Sequence, residues 1–369
     1  MPSPEGRETG FRRALLEWFD AHQRELPWRH VCDPYAVWVS EIKLQQTQVA
    51  TVVDYFERWM ERFPEVETLA KAPIDEVLEL WSGLGYYRRA RYLHRAAQEI
   101  VATFGGEIPS TVEELKSLPG VGPYTAGAVS SIAFGKVEPL VDGNVMRVLS
   151  RLYAIEGAPR KKPAKAQIWG RAGELVDPDR PGDFNQGLME LGSEICGPKK
   201  ARCLICPVSD HCQARAQGRE LDFPQSAKRV EQKPMRARAA VVHQGGDGGR
   251  RFLVHRRDDS GLMGGLWEFP SVESDGESFP RLAALQNVLE ALETTPKVRR
   301  SVGTVQHIFS HRKLALRVHD IGVGSPMEVI SGEEGGRWQW VEEAELRGLG
   351  TASLFDKIYK CWRSAVDGK

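Results

Sequence analysis

No apolar run in this 369-residue chain approaches the roughly 18 residues that would span a bilayer, so no membrane segment is expected. Residues 1 to 10 hold no apolar stretch either, so no secretory signal is expected, and the reading is a cytoplasmic protein of the bacterial cytosol or nucleoid. Net charge is missing as well. Lys+Arg total 50 and Asp+Glu total 50, which excludes a polybasic coat protein and a long acidic tail. Cysteine is scarce, at six residues, and in a reducing compartment these are metal ligands or free thiols rather than disulfides. No repeat of solenoid period runs through the chain. What remains, 41% hydrophobic and 27% charged residues, is a folded globular protein long enough for two domains.

Residues up to about 215 read as helical. Phe11, Leu15, Trp18, Phe19 and His22 fall at helical spacing. Pro73 suits a first-turn position ahead of the stripe Ile74, Val77, Leu78 and Trp81, and Gly83 ends it. Near residue 222 the texture changes. The segment with Pro224 and Pro234 is rich in basic residues and reads as a linker. Beyond it Phe252 and Val254 alternate, as do Leu314, Leu316 and Val318, and Leu354, Phe355, Ile358 and Trp362 form a last helical stripe. The expected architecture is α+β and multidomain: a helical domain over 1–221, a linker over 222–236 and an α+β domain over 237–369.

Cys196, Cys203, Cys206 and Cys212 give C-x6-C-x2-C-x5-C, four thiols within 17 residues. Such a set can enclose one tetrahedral zinc or one cubane cluster, and spacing alone leaves both open. Upstream, Thr111–Leu118 reads as a short helix capped by Ser110 or Thr111. Leu118-Pro-Gly-Val-Gly122 follows, then a second helix opening at Pro123. Gly120, Val121 and Gly122 would turn tightly and aim N–H groups outward beside a helix N-terminus, an anion site suited to a phosphodiester. Asp142 stands ahead of the stripe Val145, Val148, Leu149 and Leu152. It reads as an N-cap whose carboxylate stays ionised.

Together these pieces resemble the helix-hairpin-helix DNA glycosylases that carry a [4Fe-4S] cluster. The residues Ser40–Val49 (SEIKLQQTQV), Gly83–Ala90 (GLGYYRRA) and Asn185–Gly192 (NQGLMELG) narrow the resemblance to the MutY-type adenine DNA glycosylases. It covers nearly the whole chain. The resemblance implies that the four cysteines hold [4Fe-4S]. The endonuclease III-like members carry Lys where this chain has Tyr124, and tyrosine cannot form a Schiff base. A monofunctional glycosylase is therefore implied, without an efficient strand-cleaving step. The implied substrate is double-stranded DNA with adenine opposite 8-oxoguanine or guanine.

In this reading Glu41 is the general acid toward adenine N7, desolvated by Trp38, Ile42 and the stacked purine. Asp142 stabilises the oxocarbenium-like sugar, while Tyr124 and Asn144 orient Asp142 and water. Gln46 and Tyr86 match wedge positions that fill the gap left by the flipped base. The C-terminal part resembles a Nudix-like domain. Gly265–Pro270 matches a Nudix flank, but the R-E-x-x-E-E core that would hold Mg²⁺ is missing. A lesion-recognition module is implied, with Phe309, Ser310 and His311 at the 8-oxoguanine. A monomer is expected, with a replication clamp or mismatch-repair proteins as partners. The competing readings are a bifunctional glycosylase/lyase, which Tyr124 opposes, and a non-catalytic damage-binding protein, which the pair Glu41 and Asp142 opposes. A third, a Nudix hydrolase, is opposed by the degraded box.

Overall fold

The computed structural model describes residues 4–29, 33–225, 231–246, 249–258, 263–292, 296–298, 301–309, 311–324, 338–366 and 368. Ser310 lies outside them. The helices are α1 (Pro4–His22), α2 (Pro34–Leu44), α3 (Val49–Arg62), α4 (Val66–Lys71), α5 (Ile74–Trp81), α6 (Arg88–Phe104) and α7 (Val112–Ser117). They continue with α8 (Pro123–Ile132), α9 (Gly143–Leu152), α10 (Ala164–Leu175), α11 (Pro181–Glu194), α12 (Gln213–Ala216), α13 (Leu282–Val288) and α14 (Ser353–Val366). The strands are β1 (Lys233–Gly246), β2 (Gly249–Arg256), β3 (Trp267–Glu268), β4 (Ser271–Asp275), β5 (Ser301–Ile308), β6 (Arg312–Val323) and β7 (Trp338–Glu342). No helix among the described residues is long and apolar enough to cross a membrane.

The chain divides into two compact units, 1–72 with 92–229, and 73–91 with 230–369. The second unit thus takes in α5 and the turn that carries Tyr86, a grouping that linear boundaries at 221 and 237 do not contain. In it Pro73 is the cap residue of α5 rather than a first-turn residue, and the C-cap is Ser82, just before Gly83 at φ +96°.

The first unit is helical. Its core joins Phe11 and Leu15 of α1 to the stripe Val145, Val148, Leu149 and Leu152 of α9 and to Phe184, Leu188 and Leu191 of α11. α9 can approach α11 only because residue 192 has no side chain: a Cβ there would lie 2.6 Å from the Cβ of Asn144.

A mixed seven-stranded sheet, with the path β3-β2-β1-β6-β5, forms the second unit. β1 and β6 run parallel from Lys233 opposite Arg312 to Gln244 opposite Val323. Residues 233–236, read from composition as linker, are therefore strand. The stripe Leu354, Phe355, Ile358 and Trp362 packs α14 on one face of the sheet, over Leu314, Leu316 and Val318. Leu285 of α13 and Leu289 of the 3-10 turn that follows it cover Ala240, Val242 and Ile321 on the other face.

Candidate active site and cysteine loop

Glu41 sits mid-way along α2, a helix started by Asp33, whose side chain accepts from the backbone N–H groups of Tyr35 and Ala36, and by Pro34 at its first position. Burial runs all round α2: Trp38 is 1% exposed, Ile42 5% and Glu41 itself 4%. Such burial of a carboxyl favours its neutral form. The Tyr124 hydroxyl, from α8, donates to Glu41 Oε2. Burial drives the Glu41 carboxyl up; the Tyr124 hydrogen bond opposes this, the charge of Asp142 adds to it, and that of Arg29 subtracts, leaving it at about 7. Tyr124 in turn is held well above its ordinary value by burial and then by the charges of Glu41 and Asp142. Three groups far apart in sequence thus share one electrostatic neighbourhood.

Asp142 is the N-cap of α9. Its Oδ1 accepts from the Val145 N–H at 2.6 Å, and its Oδ2 accepts from the Asn144 amide at 3.0 Å. These bonds favour the charged form, yet burial outweighs them and raises its pKa. The N-cap argument from sequence omitted that desolvation. Asn144 Oδ1 accepts from Arg147 Nη2 at 2.9 Å, and Arg147 Nε donates to the Cys196 carbonyl at 2.7 Å. The carboxylate is therefore tied through Asn144 and Arg147 to the start of the cysteine loop.

That loop leaves α11 at Cys196, which forms an isolated bridge with Ala201. Cys203 opens a 3-10 turn, Cys206 follows it, and Cys212 caps α12. All four thiols are free. Arg151, 2% exposed, donates from Nη1 to Cys196 Sγ at 3.1 Å and to the Gly197 carbonyl at 2.9 Å. Burial, and after it the neighbouring thiols, push Cys206 up to about 12. Among the described residues no three His, Cys, Asp or Glu side chains are placed to hold one metal ion together.

The hairpin takes its shape from two glycines. Thr111 caps α7, accepting from the Glu114 N–H at 3.2 Å. Gly120 has φ +77° and lies so close to Tyr92 that a Cβ would come within 2.6 Å of it. Gly122 is the N-cap of α8 and has no side chain to occupy the N–H groups of the first turn, while Val121 is buried. Gln46 is exposed and has φ +58°; Tyr86 is 50% exposed and has φ +49°. Both are non-glycine residues in the left-handed region, a conformation that costs free energy and clusters at functional sites. Phe309 follows β5, its ring 4.6 Å from that of His307, and His311 precedes β6 and is exposed.

Sequence reasoning missed one cluster beside Glu41. Glu190 of α11, 1% exposed, accepts from Arg24 Nε at 2.8 Å and from Arg29 Nη2 at 2.5 Å. The signal was faint: a charged residue on a helix face otherwise turned inward. Lys43, fully buried, was missed too; its ammonium lies 4.1 Å from the centroid of the Trp59 ring.

Residues 39–173 match the model of the HhH-GPD superfamily of base excision DNA repair proteins, and residues 239–361 match that of the NUDIX domain. A thermostable thymine-DNA glycosylase of known structure superposes with a TM-score of 0.54 at 30% identity, covering 58% of this chain and all of that one. The fold and site therefore define a helix-hairpin-helix base-excision glycosylase joined to a Nudix-like domain. The human adenine DNA glycosylase is 38% identical across 98% of this chain and 75% of its own length. The rat enzyme is 40% identical across 96% and 78%. The chain belongs to the adenine DNA glycosylase family, enzymes of base excision repair that act on N-glycosyl bonds.

Proposed function

We propose that the protein removes adenine mispaired with 8-oxoguanine, and with guanine, from duplex DNA by hydrolysis without cutting the strand. The observation that carries this reading is Glu41: buried, hydrogen-bonded by Tyr124, held at about 7 and within electrostatic reach of Asp142. A group with that pKa is half protonated at neutral pH, close to the optimum for a general acid. Glu41 gives its proton to N7 of the flipped adenine. The glycosidic electron pair leaves with the base. Asp142 faces the positive charge that develops on the sugar, held in place by Val145 and Asn144, and water adds to the sugar carbon, its released proton restoring the Glu41 acid. Tyr124 orients Glu41 and offers no amine for a Schiff base, so a strand nick appears only after alkali.

The fit of [4Fe-4S] to Cys196, Cys203, Cys206 and Cys212 rests on the donor set. Four free thiols stand in one loop, and a buried guanidinium donates to Cys196 Sγ. The four cysteines would each bind a different iron of the cluster, so their thiols would not have to converge on one ion. Cys196, Cys203, Cys206 and Cys212 would hold the cluster, which would cross-link the loop beside Arg151. Gly120, Val121 and Gly122 hold a phosphate, Gln46 and Tyr86 fill the space of the extruded base, and Phe309, Ser310 and His311 meet the lesion. A helical domain, a lesion domain that begins with β1 at Lys233, a bacterial cytosolic location, a monomer and a clamp or mismatch-repair partner complete the reading.

The test uses duplexes with A:8-oxoguanine, A:G and A:T, wild type against Glu41→Gln. Alkali-dependent cleavage of the first two and its loss in the variant are expected. Cleavage without alkali, trapped by borohydride, would establish a lyase instead.

A further inference from the structure

Among the described residues, α13 covers only one end of the second face of this unit's sheet. α13 shields the end that carries Ala240, Val242 and Ile321. At the other end, alternation along the strands sends Arg236 and Arg238 of β1, Lys313 and Arg317 of β6, and Gln306 and Ile308 of β5 to the same side. Their partners fix this: Arg238 lies opposite Arg317, Gln306 opposite Ala315, and Ile308 opposite Lys313. The intervening residues Leu314, Leu316 and Val305 point into the core under α14.

The end beyond α13 is basic. The guanidiniums of Arg236, Arg238 and Arg317 gather around the half-buried ring of Phe279, with Arg317 4.0 Å from its centroid. Among the described residues the one ion pair that these cations and Lys313 form is Arg236 with Glu277. Arg238 instead donates to the Pro280 carbonyl at 2.6 Å and to His319 Nε2 at 3.1 Å. Two arginines paired across neighbouring strands repel each other. Burial, and then the charge of Arg317, lower the Arg238 pKa. An acid opposite either arginine would have relieved that repulsion. Phe279 holds the two guanidiniums in place without neutralising them.

Two features select the anion. The patch lies along the β5–β6 hairpin, whose connecting residues 309–311 are the proposed lesion loop, and the four-residue step from Lys313 to Arg317 spans about 13 Å. Ile308, last in β5, is 68% exposed, an apolar contact for a sugar beside cations for phosphates. We propose that this sheet face, from Ile308 and Lys313 to Arg317 and Arg238, is a track for the backbone of the duplex that flanks the mispair. The inference rests on the reading of residues 309–311 as the lesion loop.

The experiment measures affinity for an A:8-oxoguanine duplex as a function of salt, using the full-length protein. Lys313→Gln is expected to weaken binding and to reduce the log–log salt slope by about 0.9, the value for one lost phosphate contact. Gln306 is exposed, so its variants leave the core intact. Gln306→Lys is expected to tighten binding and steepen the slope, and Gln306→Glu to do the reverse, while the single-turnover excision rate at saturation stays at the wild-type value. Unmoved slopes in all three variants, or Gln306→Lys and Gln306→Glu shifting affinity in the same direction, overturn the track, whatever acidic partner the face then meets. Excision by wild type is read on the same duplex: its absence sinks the functional reading, whereas excision with unmoved slopes sinks the track alone.

Discussion

Two glutamates in the helical unit are buried almost equally, yet their surroundings push them in opposite directions. Glu41 is 4% exposed and Glu190 is 1% exposed. Burial acts on both in the same sense, toward the neutral acid. At Glu41 the opposing influences are one phenol hydrogen bond and a more distant guanidinium, and the nearby Asp142 adds to burial, so the group is held at about 7. At Glu190, burial also pushes up, but hydrogen bonds from Arg24 and Arg29 and their charges outweigh it and hold the group below its ordinary value. Low exposure therefore does not assign a role. The number of guanidiniums within hydrogen-bond reach does: Glu190 is kept as a charge, and Glu41 is shifted toward its neutral acid.

The sharpest way to break this comparison is catalytic. Glu41→Gln is expected to reduce single-turnover adenine excision by about 10³-fold, within the range for a lost general acid. Wild-type rate should fall as pH rises above about 7, because the acid is then deprotonated, and the residual rate of the variant should show no such limb. A pH-independent wild-type rate between 6 and 9 would remove Glu41 from the role. Glu190→Gln should instead act on stability. It leaves Arg29, 10% exposed at its side chain, without its counter-charge and is expected to cost about 3 kcal/mol or more near neutral pH in denaturant unfolding. A lowered folded pKa contributes stability that is present above the unfolded value and lost as pH falls through the folded one. The deficit of Glu190→Gln should therefore shrink in acid.

Glu41→Gln should move stability the other way. A raised folded pKa contributes stability that is fully present below the unfolded value, about 4.5, and lost as pH rises through about 7. Above pH 7 the amide variant is thus expected to be more stable than wild type, by on the order of 3 kcal/mol, and to match it near pH 4. Equal stability of the two at pH 8 would contradict the desolvation argument. The smallest effect belongs to Tyr124→Phe. Without the hydroxyl, Glu41 loses a bond that favours its charged form, so the alkaline limb of the rate should move to higher pH, with a loss of roughly tenfold or less at its plateau.

Much of the helical unit was legible because its signals are local. Thr111 caps α7, Pro123 opens α8 and Asp142 caps α9, each within three residues of the groups it serves. Four cysteines within 17 residues can meet without help from the rest of the chain. The Glu190 cluster was not legible, since its arginines lie 161 and 166 positions away. Nor was the start of β1: the basic, proline-containing composition at 233–236 reads as linker, and pairing with β6, nearly eighty residues downstream, makes it strand.

The sequence by itself determined several helix starts, which family the chain belongs to, and which side chains have the chemistry for acid catalysis and thiolate ligation. Tertiary structure alone decided which of two buried glutamates holds a proton and which holds a charge, and which arginines of the sheet go without an acid. The physical reason is that burial and Coulomb interactions depend on distance in space, and packing alone brings Tyr124 and Asp142 to one glutamate and Arg24 and Arg29 to the other.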